Sequence, residues 1–138
     1  MGGRNVVKTT VEYIEGHLEE ELSLDKIAKE LHYSKFYIER TFVKETGCTV
    51  YKYIQGRRLT LAAWKLVETQ KTVSEIAYEV QYNSQQAFCL AFRSLYQCSP
   101  QDYRRKGVFY PKQERIVTLV PVSGVSGRQN GWKGRMAA

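Results

Sequence analysis

Arg40, Gln86 and Leu90, with Phe36, are side chains whose chemistry and spacing suit recognition of base edges. A guanidinium can donate two hydrogen bonds to O6 and N7 of guanine, a carboxamide can pair with N6 and N7 of adenine, and Leu or Phe can lie against a thymine methyl. Lys35, Lys44, Lys52, Arg57, Arg58, Arg93 and Arg104, with the hydroxyls of Ser34 and Ser84, are candidates for phosphate contacts, which position a protein without reading sequence. Catalytic chemistry has no comparable set. No nucleophile, acid and base are arranged to converge, no Gly-rich phosphate loop follows a strand, and there is no H-E-x-x-H or spaced Cys/His cluster. The sequence therefore predicts a non-enzyme with no cofactor and no metal site. Cys48, Cys89 and Cys98 are odd in number, lack a C-x-x-C pair and read as reduced, structural thiols.

Base-reading groups need a rigid element, and residues 34–44 supply one. On a helix, Ile38, Thr41 and Phe42 share one face, while Phe36, Arg40 and Val43 share the opposite face, flanked by Tyr37, Glu39 and Lys44. Ser34 is a suitable N-cap and Gly47 a natural stop. A single outward Phe would mean little. The pattern, however, occurs twice. Residues 27–34 are echoed by 76–84 with one extra residue in the second turn, and beyond it Ile38 answers to Phe88, Phe42 to Phe92, Cys48 to Cys98, Thr49 to Ser99 and Tyr53 to Tyr103. Each unit reads as helix, tight turn, helix.

The remaining elements follow from periodicity and caps. Val7, Val11, Ile14 and Leu18 mark a first amphipathic helix over 6–18. Ser23 caps a helix over 25–31 with Leu24, Ile27, Ala28 and Leu31 inward. A longer helix over 49–69 carries apolar residues on several sides, as a spine between two modules would. Gly56 inside it either weakens it by about 1 kcal/mol relative to Ala or marks a close backbone approach. Thr72 with Glu75 forms a capping box. Ser84 caps 85–96, with Phe88, Phe92 and Leu95 inward and Gln86, Leu90 and Arg93 outward. Ser99-Pro100-Gln101-Asp102 opens a last short helix. The predicted fold is all-α: two helix-turn-helix modules, about 23–47 and 72–97, joined by the 49–69 linker helix in a homeodomain-like duplication. Residues 1–106 form this domain. Residues 107–138 form a basic tail with a strand-like run at 108–122, and are either disordered or the truncated start of another domain.

The 138 residues carry a formal net charge of +7, which suits a polyanionic partner. Half the acids lie between Glu12 and Glu30, whereas bases cluster from Lys35 to Arg58. No apolar run is long enough to span a bilayer and no signal segment opens the chain, so a soluble, intracellular protein is expected.

The motifs Leu22-Ser23-Leu24-Asp25-Lys26-Ile27-Ala28, Tyr33-Ser34-Lys35-Phe36-Tyr37, Phe42-Val43-Lys44-Glu45-Thr46-Gly47 and Arg57-Arg58-Leu59, followed by Glu75-Ile76-Ala77, Ser84-Gln85-Gln86-Ala87-Phe88 and Ser99-Pro100-Gln101-Asp102-Tyr103-Arg104-Arg105, occur in this order. Over roughly residues 6–106 they resemble the AraC/XylS family of bacterial transcription regulators, in particular its short MarA/SoxS/Rob-like branch. The resemblance implies seven helices and monomeric binding to two neighbouring major-groove segments of double-stranded promoter DNA. It also implies activation through RNA polymerase, in the bacterial cytoplasm. It places Phe36, Tyr37, Glu39 and Arg40, and then Gln85, Gln86 and Cys89, at base-facing positions. Phe36 stands where the branch usually has Trp, and Leu90 where it usually has Arg. Leu90 is also the internal counterpart of Arg40, so the first module is expected to dominate sequence choice. The alternative is a helical interaction module that binds RNA polymerase or another regulator through Phe36, Val43 and Leu90.

Overall fold

The computed structural model describes residues 2–117. Among them are seven helices and no strand: α1 (Gly2–Gly16), α2 (Leu24–Leu31), α3 (Lys35–Thr46), α4 (Val50–Glu68), α5 (Val73–Glu79), α6 (Gln85–Tyr96) and α7 (Pro100–Lys106). The fold is all-α. The strand-like run expected from 108 forms no strand through Val117, and its remainder, like the whole of 118–138, lies outside the described residues. The helices divide between two compact units.

The first unit holds α1, α2, α3 and the opening turn of α4. Val7, Val11 and Ile14 of α1 are buried with Ile27 and Ala28 of α2, Ile38 and Phe42 of α3, and Val50. α1 starts earlier than its apolar periodicity indicates and stops at Gly16, leaving Leu18 buried in the turn that follows. Leu24 and Leu31 are only half-buried, so the inward face of α2 is narrower than expected. Ser23 Oγ accepts from Lys26 N–H at 3.0 Å, and His32 closes the helix in the left-handed region at φ 62°.

The second unit repeats this local construction. Thr72 and Glu75 exchange both capping-box bonds, at 2.9 and 3.0 Å. Gln81 adopts φ 71°, and Tyr82 N–H reaches Ala77 O at 2.9 Å as Tyr33 N–H reaches Ala28 O at 3.1 Å. Along α6, Phe88, Phe92 and Tyr96 form a buried aromatic ladder, with Phe92 and Tyr96 stacked at 4.6 Å and Tyr103 of α7 edge-on to Tyr96 at 4.9 Å.

Packing of the second unit does not end at Lys106, the expected boundary, but continues to Gln113. Tyr96 Oη donates to Tyr110 O at 3.0 Å and accepts from Lys112 N–H at 3.2 Å, while Tyr103 Oη accepts from Tyr110 N–H at 2.9 Å. Gln113 N–H donates to Thr60 Oγ1 at 3.1 Å, and Gln113 O accepts from Arg57 Nη1 at 2.7 Å. A segment without secondary structure thus has its backbone groups satisfied by side chains of α4, α6 and α7, which allows it to lie against the core. Burial pushes the Tyr103 phenol up to about 12, so it stays protonated.

This segment settles the ambiguity at Gly56. A Cβ there would lie 2.8 Å from Gln113 Cβ, so the glycine marks a close approach. Gly56→Ala is expected to destabilise the protein by about 1–3 kcal/mol through overpacking, against a helix-propensity gain of about 1 kcal/mol. Urea unfolding of the full chain and of a chain ending at Lys106 checks this, because the penalty should disappear when Gln113 is removed.

Beneath α5, Lys65 Nζ contacts Glu19 Oε2 at 2.5 Å and Glu79 Oε1 at 2.6 Å, and Lys71 Nζ contacts Glu79 Oε2 at 2.6 Å. Burial acts to raise the Glu79 carboxyl, but hydrogen bonds from Lys65 and Lys71 outweigh it and hold the group below its ordinary 4.5. Burial likewise acts to lower Lys65, and its two carboxylate partners outweigh it, leaving Lys65 above 10.5. The depressed Glu79 stabilises the fold above its ordinary value and loses that effect as pH falls through its folded value; the raised Lys65 stabilises below its ordinary value and loses its effect as pH rises through its folded value. The stability lead of the parent protein over Glu79→Gln should be flat between about pH 6 and 9 and shrink below about pH 4 in urea titrations.

Candidate nucleic-acid interface

α3 and α6 are built alike. Ser34 Oγ accepts from Tyr37 N–H at 3.3 Å and Ser84 Oγ from Ala87 N–H at 3.1 Å, so each cap hydroxyl keeps its own proton to donate outward. Both helices end on a left-handed residue, Gly47 at φ 77° and Gln97 at φ 63°. Ile38, Thr41 and Phe42 anchor α3, and Phe88, Phe92 and Tyr96 anchor α6. Leu95, expected inward with the phenylalanines, is only half-buried, and Tyr96 takes its place.

The faces away from those anchors carry the predicted reading groups. On α3, Phe36 is 71% exposed, Arg40 and Lys44 are exposed, and Tyr37 is half-buried with its ring 5.8 Å from that of Tyr33. Lys35 Nζ sits 2.9 Å from Asp25 and 5.6 Å from the centre of the Phe36 ring. An ion pair this exposed contributes little, so Lys35 can exchange Asp25 for a phosphate at small cost. Lys52 is exposed on the first turn of α4. On α6, Gln85, Gln86 and Arg93 are exposed and Leu90 is 72% exposed. Cys89 is half-buried, and burial holds its thiol above the ordinary value against the pull of Arg93.

Four predicted contacts have other occupations. Arg57 is fully buried and donates to Gln113 O, so it cannot serve a phosphate without unmaking the fold. Arg58 is buried, with Nε on Leu18 O at 2.9 Å and Nη2 on Glu20 O at 2.5 Å; burial pulls it below its ordinary value. Arg104 is half-buried and holds the end of α4 through Leu66 O at 2.8 Å and Thr69 O at 3.2 Å. These three guanidiniums satisfy carbonyls, a role that charge counting along a sequence cannot separate from phosphate binding. Glu39, expected to face bases, accepts from Val50 N–H at 3.4 Å and so helps to cap α4.

A cleft of about 510 Å³ opens beside α6, lined by Gln86, Cys89, Leu90, Arg93, Ser99 and Pro100. Ser99 and Pro100 reach this cleft from the start of α7, a placement that no local sequence pattern indicates.

A family model described as a helix-turn-helix domain matches residues 27–106. The SoxS regulatory protein of Salmonella typhimurium is 38% identical over 106 residues, covering 77% of this chain and 99% of SoxS. This chain belongs to the AraC-type helix-turn-helix family. The TetD protein of transposon Tn10 from Escherichia coli is 43% identical over 100 residues, 72% of each chain. A solved transcriptional regulator with an AraC-type DNA-binding domain, from Chromobacterium violaceum, superposes with a TM-score of 0.73 at 27% identity, covering 78% of this chain and 96% of that one. As a member of this AraC-type family, the chain is a DNA-binding transcription regulator.

The two kinds of cation separate experimentally. Arg57→Met should cost about 2–3 kcal/mol of stability by stranding a carbonyl, with no change in the salt dependence of DNA binding. Lys44→Ala and Arg93→Ala should stay within about 0.5 kcal/mol of the parent stability while each reduces the slope of log K against log salt by about 0.9. Urea unfolding and fluorescence titrations across a salt series measure both quantities.

Proposed function

We propose that this regulator is a sequence-specific activator that binds promoter DNA as a monomer, inserting α3 and α6 into adjacent major-groove segments and acting through RNA polymerase in the bacterial cytoplasm. The observation that carries this reading is the two-faced construction of α3. Ile38, Thr41 and Phe42 hold the helix from one side, while Phe36 and Arg40 stand exposed on the other. Arg40 is the group suited to a guanine, Gln85 and Gln86 to adenines, and Tyr37 completes the wall beside Phe36. Ser34, Lys35, Lys44, Lys52, Ser84 and Arg93 hold phosphates and fix the docking register. The AraC-type domain has no catalytic role here, and the Lys- and Arg-bearing tail adds non-specific attraction to DNA.

Arg40 dominates specificity, because a bidentate contact to guanine discriminates by about 1–3 kcal/mol. Selection of sites from random duplex DNA, at low and physiological salt, should return a bipartite motif that is sharper in the half read by α3. Arg40→Ala should relax that half more than Gln86→Ala relaxes the other. Recovery of no motif, with binding abolished by moderate salt, would overturn base reading and favour a protein-interaction module working through Phe36, Val43 and Leu90.

A further inference from the structure

The duplicated modules provide an internal comparison at the end of each reading helix. Alignment of Ser34 with Ser84 sets Glu39 against Cys89, Arg40 against Leu90, and Val50 against Pro100. In the first unit, the Val50 N–H at the start of α4 needs an acceptor, and Glu39 reaches it at 3.4 Å. In the second unit, proline begins α7 and has no N–H to satisfy. Position 89 is thereby released from capping, and a thiol takes the place of the carboxylate. The adjoining position changes as well, from an exposed guanidinium to a leucine that is 72% exposed.

The cleft beside α6 has the corresponding chemistry. Cys89, Leu90 and Pro100 give it an apolar wall, and burial keeps the Cys89 thiol in its neutral form. The exposed guanidinium of Arg40 would suit guanine O6 and N7, whereas Leu90 offers no forked donor and the Cys89 thiol beside it no strong acceptor. Arg93 lies one turn further along, towards the end of α6 that leads away from the base-reading N-terminus, and matches Val43 in the first module. Gln86 lies one turn before Leu90 on the same exposed face, with a carboxamide suited to adenine.

We infer that Leu90, backed by Cys89 and Pro100, reads the 5-methyl group of thymine, so that the step facing α6 is A·T. This assignment rests on the sequence-reading function proposed above and specifies what the second module selects. Leucine does not leave that module blind; it replaces reading of guanine hydrogen bonds with reading of a methyl group.

The test uses the full chain and a duplex carrying its selected site, with thymines replaced by deoxyuridine in the half-site whose discrimination depends on Gln86. Deoxyuridine keeps base pairing and removes only the methyl. Affinity should fall about fourfold for the contacted thymine, the worth of one methyl-sized group removed from water. Leu90→Ala, which truncates an exposed side chain, should bind the thymine and uracil duplexes alike. Leu90→Arg should move the preferred base at that position to guanine in a repeated site selection. Unchanged affinity for every uracil substitution, with a scrambled duplex still rejected, overturns the methyl assignment alone, as does a Leu90→Ala protein that still separates thymine from uracil. Equal affinity for the selected and scrambled duplexes overturns the sequence-reading function itself.

Discussion

A twelve-residue helix is too short to persist alone in water, so α3 and α6 depend on what their inner faces bury. Ile38 and Phe42 perform this service for α3, and Phe88, Phe92 and Tyr96 for α6. Everything presented on the outer faces is held in place by those few side chains and by one serine hydroxyl at each start. The arrangement leaves the outer faces unconstrained by packing. Arg40 and Leu90 can therefore differ completely in chemistry while the two helices keep the same caps, the same length and the same left-handed ends.

The divergence between the modules centres on a single backbone amide. Val50 has an N–H at the start of α4, and the Glu39 carboxylate is drawn to it. Pro100 removes that requirement at the start of α7, and the space beside α6 stays open and apolar. A residue change in one helix thus alters what a residue in the preceding helix is able to do. The coupling is local: a carboxylate is held at the start of α4 in one module, and a thiol lines the cleft beside the start of α7 in the other.

Burial divides the cations of this AraC-type regulator into two populations. Arg57 and Arg58 are consumed inside the second unit by the carbonyls of Gln113, Leu18 and Glu20, and Arg104 by the end of α4. Lys44, Lys52 and Arg93 remain exposed. Net charge counts both populations equally, yet only the exposed side chains can release counterions from DNA. The basic cluster from Lys35 to Arg58 is therefore smaller as a surface than as a stretch of sequence.

The sequence by itself determined the seven helices, their serine and threonine caps, the duplicated helix-turn-helix and the outward position of Phe36, Arg40, Gln86 and Leu90. These follow from periodicity and capping chemistry, which act over three or four residues and are visible in any short window. Tertiary structure alone decided the fate of Arg57, Arg58, Arg104 and Glu39, because each partner is a backbone group, and a carbonyl or amide has no residue type to reveal it. It also decided that the second unit extends to Gln113: Gly56, Thr60, Tyr96 and Tyr103 lie far from that segment in sequence, and its polar groups become tolerable against the core only where those side chains converge.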